Sequence, residues 1–168
     1  MSLMKDLKRE FRCIDSKIIM ICIAISAVFC VISHLFCSGM ELYFRILLPV
    51  FAVPVQIFGA IRLIMFAILG FAAGMAVSGC VFCSKQEKRI CIILYFLLLT
   101  VSALWAPVVF GLASFIIGLV LSLIAIVLCY FVMTSFLNTS IIGGYSVILF
   151  LLWNLYCFFL NFCIILLN

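Results

Sequence analysis

The chain has 168 residues, of which 70% are hydrophobic and only 9% are charged. A water-soluble domain needs far more polar surface than this composition can supply, so a soluble fold is excluded. The net charge of +5 does not indicate nucleic acid as a partner, because no extramembrane domain remains to hold one. We interpret the charge as a signal for membrane orientation, with attraction to anionic membrane lipid.

Five apolar stretches follow one another along the chain, each close to the roughly 20 residues that a helix needs to cross a bilayer. They do not alternate as porin strands do. Two longer apolar runs are divided by helix-breaking residues: Pro49 and Pro54 shorten one, and Pro107 with Gly111 breaks the other. We therefore predict one all-α domain over residues 1–168, an integral membrane bundle of five transmembrane helices. The predicted helices cover about 17–35, 56–77, 90–110, 112–136 and 141–167.

The first stretch follows basic residues, a pattern that signal peptides share. A small-x-small cleavage site is not clear, and Cys37-Ser38-Gly39 is a weak substitute for one. We therefore predict that this segment is retained as the first helix.

Basic residues predict the orientation of the chain. They cluster before the first predicted helix and between the second and third, two regions that five spans place on the same side. The opposite side has only Arg45, and Arg62 lies within a span. The positive-inside rule then predicts a cytoplasmic N-terminus and Asn168 on the outside.

Cysteine and histidine give little support for metal binding or catalysis. Most of the ten cysteines lie in or beside apolar stretches, where a thiol behaves as a small hydrophobe. Cys80 and Cys83 form a C-x-x-C, but a structural zinc needs a second ligand pair and the sequence has none nearby. His34 is the single histidine and is far from any acid. We predict no metal site and no enzyme, because no nucleophile–base pair can be assembled.

The second stretch contains a G-x-x-x-G at Gly70 and Gly74. Small residues one turn apart let two helix backbones approach closely in lipid. The motif indicates close packing within the bundle or, alternatively, a homodimer contact.

Three asparagines recur at seven-residue spacing in the last stretch: Asn154, Asn161 and Asn168. They drift by only about 20° per step around a helix and so form one polar seam. Polar groups at membrane depth face protein, a ligand or water. The seam therefore predicts the inner face of the last helix, where the asparagines bind either a ligand or neighbouring helices.

Three blocks of residues, in order along the chain, carry a resemblance to a known family. The first runs through the loop and second helix, the next lies at the end of the third helix, and the last is in the final helix. They contain Tyr43, Pro49, Phe51, Pro54, Phe58, Gly59 and Gly70; Trp105, Pro107, Phe110 and Gly111; and Trp153, Leu160, Asn161, Ile164, Leu167 and Asn168. This pattern resembles the TspO/MBR family, the tryptophan-rich sensory or translocator proteins.

The chain also departs from the family pattern. Val53 replaces one residue of a Pro-Pro step, and Gln56 and Arg62 stand where the family usually has tryptophans. Phe66 replaces a tyrosine, and Ser102 replaces an asparagine. These changes indicate a divergent member of the family in which different side chains line the pocket.

The resemblance implies a pocket in the helix bundle that binds a tetrapyrrole such as protoporphyrin IX, or a similar apolar small molecule, as a ligand rather than as a cofactor. The tryptophans would form flat walls, and Ser102 and Asn161 would offer hydrogen bonds. Arg62, if it points inward, would pair with a propionate or stack on an aromatic face; alternatively it extends to the outer interface. The two tryptophans could equally be core residues or interfacial anchors. The candidate ligand-binding residues are Tyr43, Pro49, Pro54, Phe58, Arg62, Phe66, Ser102, Trp105, Trp153 and Asn161.

The function that we predict is binding, with transport or sensing, of tetrapyrroles or similar hydrophobic ring compounds in a bacterial cell membrane. Two alternatives stay open. The protein could be an enzyme that degrades porphyrin in light, which would require the tryptophans beside the bound ring. It could also be a structural or regulatory membrane protein whose pocket has decayed.

Overall fold

The computed structural model describes residues 15–37, 46–78 and 85–168, and these residues form five long α-helices. Each helix is long and apolar enough to cross a membrane, which confirms the predicted all-α fold with five spans. Tyr43, Arg45, Cys80 and Cys83 lie outside the described residues. The helices are α1 (Ser16–Leu35), α2 (Val55–Ser78), α3 (Lys85–Ala106), α4 (Phe115–Leu137) and α5 (Ile141–Leu167).

Local sequence signals start several of these helices. The Asp15 carboxylate accepts a hydrogen bond from the Lys17 backbone N–H at 3.0 Å, and the Ser140 hydroxyl accepts one from the Gly143 N–H at 3.0 Å. Both are helix N-caps, which supply an acceptor to a backbone donor that has none in the first turn. Pro54 precedes α2, and its carbonyl accepts the N–H of Phe58 at 3.0 Å. The proline thereby sets the position of Phe58 in the first turn of α2.

Two helices begin elsewhere than predicted. α3 starts at Lys85 instead of residue 90, because the charged segment before the apolar stretch consists of good helix formers. Glu87 in that first turn interacts favourably with the positive end of the helix dipole. α4 starts at Phe115 instead of residue 112, because a turn over Pro107–Gly111 and three further residues separate it from α3.

The break occurs at Pro107, as predicted, but takes the form of a π-helical turn over Pro107–Gly111. The Leu112 N–H donates to the Pro107 carbonyl at 3.0 Å. Ala113 follows with φ = 51°, in the left-handed region that residues with a side chain adopt at a cost of about 1–2 kcal/mol. The chain therefore reverses within a few residues after Pro107.

The helices pack in the ring order α1, α2, α5, α4, α3, with α3 closing the ring against α1. The most extensive contacts join α4 to α5 and α1 to α2. Large apolar side chains remain on the outer face of α4, where Ile116 is 70% exposed and Val120 and Leu123 are about half exposed. An apolar outer surface of this kind fits contact with lipid acyl chains.

Glycines bring α1 and α2 into backbone contact. A Cβ atom on Gly70 would lie 2.6 Å from the Cys22 carbonyl oxygen, and one on Gly74 would lie 2.6 Å from the Ile19 Cα. The G-x-x-x-G motif is thus used inside the bundle, which agrees with the first of its two interpretations. A homodimer stays a prediction, and it would need another surface.

A pair of glycine substitutions tests this packing. Gly70→Ala should lower the free energy of unfolding by about 1–3 kcal/mol, because the added methyl group forces two backbones apart. Gly59→Ala is the matched control in the same helix, since its Cβ would meet only the tip of His34 at 3.8 Å, and alanine should stabilise the helix by about 0.5–1 kcal/mol.

Thermal unfolding in detergent, followed with a thiol-reactive dye that reports exposure of the buried cysteines, measures both variants. A Gly70→Ala protein that is as stable as the Gly59→Ala protein would contradict the packing described here.

Candidate ligand-binding site

Five aromatic side chains from α2, α3, α5 and the π-helical turn after α3 meet near the end of the bundle where α1 ends and α2 begins. We call Phe58, Trp105, Phe110, Trp153 and Tyr156 the aromatic cluster. The Phe58 ring centroid lies 5.2 Å from that of Trp153 and 6.2 Å from that of Trp105, and Trp153 stacks on Tyr156 at 5.4 Å. Phe58 therefore contacts both tryptophans, at the distances of aromatic pairs.

The helical repeat explains how the sequence builds this cluster. On α5, Tyr156 and Cys157 lie one turn after Trp153. Leu160 and Ile164 continue the same stripe of the helix over the next two turns. Residues three and four positions apart share a helix face. Both tryptophans are inside the bundle, with Trp105 5% and Trp153 8% exposed. They are not interfacial anchors.

Two polar atoms beside the cluster have no hydrogen-bond partner among the described residues. They are the Trp105 indole Nε1 and the Ser102 hydroxyl oxygen. Both residues are buried and lie three positions apart on α3. A buried donor without a partner costs about 1–3 kcal/mol, so the two groups are suited to a bound molecule that carries acceptors.

Arg62 lies inside the bundle, with 3% of its surface exposed. The alternative in which it extends to the outer interface is therefore wrong. Its Nη2 donates to the Ser33 hydroxyl at 2.8 Å and to the carbonyls of Ser102 and Ala103 at 3.2 and 3.3 Å. Arg62 thereby ties α1 and α3 to its own helix, α2.

Pro107 explains why a carbonyl of α3 is available to Arg62. In a regular helix the N–H of residue 107 would donate to the carbonyl of Ala103, but proline has no N–H. The Ala103 carbonyl instead accepts from Arg62 and from the Ser33 hydroxyl. The proline that ends α3 therefore also creates the acceptor that holds the buried cation.

The surroundings of Arg62 include a phenyl ring and a thiol. The Phe66 ring lies 5.3 Å from the guanidinium carbon, a favourable cation–π distance, and its other edge packs on Phe150 at 5.8 Å. Cys37, just beyond α1, donates to the Ser33 carbonyl at 3.2 Å. Burial raises the pKa of the Cys37 thiol, and the nearby charge of Arg62 opposes that shift.

The described part of the first loop, residues 46–54, covers the aromatic cluster. Asn168 holds it at one point: the Leu47 N–H donates to Asn168 Oδ1 at 3.0 Å, and Asn168 Nδ2 donates to the Leu47 carbonyl at 3.1 Å. Tyr156 holds it at another, because its hydroxyl accepts the Val53 N–H at 3.0 Å. Tyr156 of α5 and Asn168, the cap residue that follows α5, thus fix the loop over the cluster.

The three asparagines of the seam have different hydrogen-bond partners. Asn154 is buried and donates to the Phe150 carbonyl of its own helix at 2.8 Å. Asn161 is fully buried and donates to the Phe115 carbonyl of α4 at 3.2 Å, next to Gly118. The predicted inner face is confirmed for these two residues, and Asn168 contacts the loop instead.

The structure brings some of the predicted site residues together and separates others. Phe58, Arg62, Ser102, Trp105 and Trp153 meet at the interface of α2, α3 and α5. The others lie around them: Phe66 is beneath Arg62, Pro49 is half-buried in the loop, Pro54 is exposed at the start of α2, Asn161 is at the α4–α5 contact, and Tyr43 is outside the described residues.

Three residues of the site were missing from the predicted set. Tyr156 follows Trp153 by three positions, so the helical repeat could have revealed it. Phe110 lies 6.1 Å from Phe58 and belongs to the block of resemblance around Trp105. Ser33 gave no signal, because a single serine in an apolar helix is common.

Replacing Asn168 tests the attachment of the loop. Asn168→Ala removes two hydrogen bonds to Leu47, each worth about 0.5–1.5 kcal/mol, and should increase trypsin cleavage after Arg45, directly before the described loop, about tenfold. Asn154→Ala is the matched control on the same helix, because the Asn154 amide does not contact the loop. Equal cleavage rates in the two variants would contradict this role of Asn168.

Comparison with known proteins shows the family to which the chain belongs. The sequence pattern of the TspO/MBR family matches residues 18–167, which is nearly the whole chain. No curated protein matches the chain. The blocks that carry the predicted resemblance contain four of the five residues of the aromatic cluster, all but Tyr156, and they also contain Asn168. The chain is a member of the TspO/MBR family.

Proposed function

We propose that this protein binds a planar tetrapyrrole such as protoporphyrin IX, or a similar apolar ring compound, within the helix bundle. The observation that carries the proposal is the aromatic cluster, in which Phe58 contacts both Trp105 and Trp153. Family membership supports the proposal because the resemblance implies ligands of this class. Binding is followed by transport or by sensing, and we propose no catalytic step as the main function.

The geometry indicates what must move when such a ligand enters. The rings of Phe58 and Trp153 are already in contact at 5.2 Å, so a flat ligand has to displace Phe58 from its contacts with the tryptophans. Phe58 belongs to the first turn of α2, directly after the loop. Opening of the loop would free Phe58 and expose the cluster, which makes the loop the entrance in this proposal.

Orientation in the membrane follows the distribution of basic residues. We propose that the N-terminus is cytoplasmic, in a bacterial cell membrane, so that the first loop and the entrance face the opposite side. A reporter enzyme that is active only in the cytoplasm should be active when it is fused to the N-terminus. An inactive N-terminal fusion of an inserted protein would contradict this orientation.

A second candidate function is light-dependent breakdown of the porphyrin. It is favoured by the contact of both tryptophans with Phe58, where both would touch a ring that took its place. This candidate predicts loss of the porphyrin absorption spectrum in light, and only with the protein present.

Titration with protoporphyrin IX tests the proposal. Quenching of tryptophan fluorescence in the purified protein in darkness should be saturable, because both tryptophans would contact the ring. Trp153→Leu should weaken binding about tenfold, since one aromatic wall is lost. Phe159→Leu is the matched control on α5, because Phe159 is 56% exposed on the outer face and its loss should leave affinity unchanged.

Three outcomes separate the candidates. Saturable binding with a stable porphyrin spectrum under light supports binding without chemistry. Binding followed by loss of the spectrum supports the second candidate. An absence of saturable quenching would contradict both and would favour a structural or regulatory protein with a decayed pocket.

A further inference from the structure

The charge of Arg62 has no carboxylate partner in the described part of the chain. Its hydrogen bonds go to one hydroxyl and two carbonyls, while the described acidic residues, Asp15 and Glu87, are at the starts of α1 and α3. A cation buried in a membrane-spanning bundle is costly without an opposite charge. Such a residue indicates a functional site.

The guanidinium retains capacity for an anion. It carries five N–H donors in a planar fork. Its Nη2 donates to one hydroxyl and two carbonyls, and the Cys37 thiol is a further hydrogen-bonding neighbour of the guanidinium. The Phe66 ring, with its centroid 5.3 Å from the guanidinium carbon, stabilises the cation without using a donor. Nε and Nη1 carry three N–H donors, more than the single thiol can take up, so the guanidinium can serve a ligand while Nη2 keeps its contacts with α1 and α3.

Two neutral donors flank the same interface. The Ser102 hydroxyl and the Trp105 indole have no partner among the described residues, and both side chains are more than nine-tenths buried. The Ser102 backbone carbonyl accepts from Arg62, and Trp105 packs on Phe58, one turn before Arg62 on α2. The Arg62 guanidinium, the Ser102 hydroxyl and the Trp105 indole all donate hydrogen bonds, and an anion would accept from all three.

We propose that Arg62, Ser102 and Trp105 form a subsite for a carboxylate of the bound ligand. The inference rests on the proposed function and narrows it: the ligand is a flat apolar ring compound that carries an acidic side chain. The ring takes the place of Phe58 against the tryptophans. The ionised carboxylate accepts from the Arg62 fork, which suits two-point binding, and from the Ser102 hydroxyl or the Trp105 indole.

The experiment compares protoporphyrin IX with its dimethyl ester, which keeps the ring and removes both charges. At neutral pH, where the free propionates are ionised, the protein should bind the acid about 10- to 100-fold more tightly than the ester. Arg62→Gln should abolish this preference, so that the variant binds acid and ester with equal affinity. Arg89→Gln is the matched control, because Arg89 is exposed on α3.

Ser102→Ala provides a test that does not depend on the stability of the Arg62 variant. The Ser102 hydroxyl has no partner to lose, so thermal stability should not fall, whereas affinity for the acid should drop about three- to tenfold. A purely structural serine would not change the ratio of acid to ester affinity.

The outcomes distinguish the two proposals. Saturable and equal binding of acid and ester by the native protein would overturn the carboxylate subsite and leave the proposed function standing. Failure of both compounds to bind would overturn the proposed function, and the subsite with it. An acid preference that survives Arg62→Gln and Ser102→Ala would also overturn the subsite.

Discussion

The constraint on which the structure depends is the burial of one positive charge among apolar helices. Arg62 can lie inside the bundle because three acceptors from two other helices converge on its Nη2. One of those acceptors, the Ala103 carbonyl, is available only because Pro107 cannot donate to it. The proline that ends α3, the serine of α1 and the arginine of α2 therefore form one unit, and each of the three helices is positioned by it.

The same unit separates the two halves of the core. On one side of Arg62 lies Phe66, with the small residues and leucines that pack α2 against α1 and α5. On the other side lies the aromatic cluster, covered by the loop. The first half is closed by backbone contacts at Gly70 and Gly74. The second half contains the orphan donors and is held by a few hydrogen bonds at its edge, which makes it the half suited to binding.

Membership of the TspO/MBR family and divergence within it have separate physical consequences. The inherited elements are those that set geometry: Pro54 before α2, Pro107 after α3, and Trp105 and Trp153 in the cluster. The replaced positions set chemistry, since Arg62 stands where an aromatic residue is usual and Ser102 where an asparagine is usual. The replacement at Arg62 places a cation among the aromatic residues, and the proposed subsite would favour ring compounds that carry a carboxylate.

The sequence predicted the fold well because spans of about 20 apolar residues and breaks at prolines are local signals. Phe58, Trp105 and Trp153 were predicted by resemblance, and the structure brings them into contact. Ser33 and the Ala103 carbonyl could not be predicted, because their roles depend on how α1 and α3 sit against α2. Asn161 was placed in the pocket by the family resemblance. Its actual partner is the Phe115 carbonyl, and that contact depends on how α4 packs against α5.

A structure of the protein with bound protoporphyrin IX tests the central claim most directly. The account predicts the porphyrin ring between Trp105 and Trp153, with Phe58 displaced and a propionate on the Arg62 guanidinium. A porphyrin bound outside the bundle would contradict it, for example in the apolar groove of about 460 Å³ beside Phe36, Leu104 and Pro107, with the Phe58–Trp153 contact unchanged.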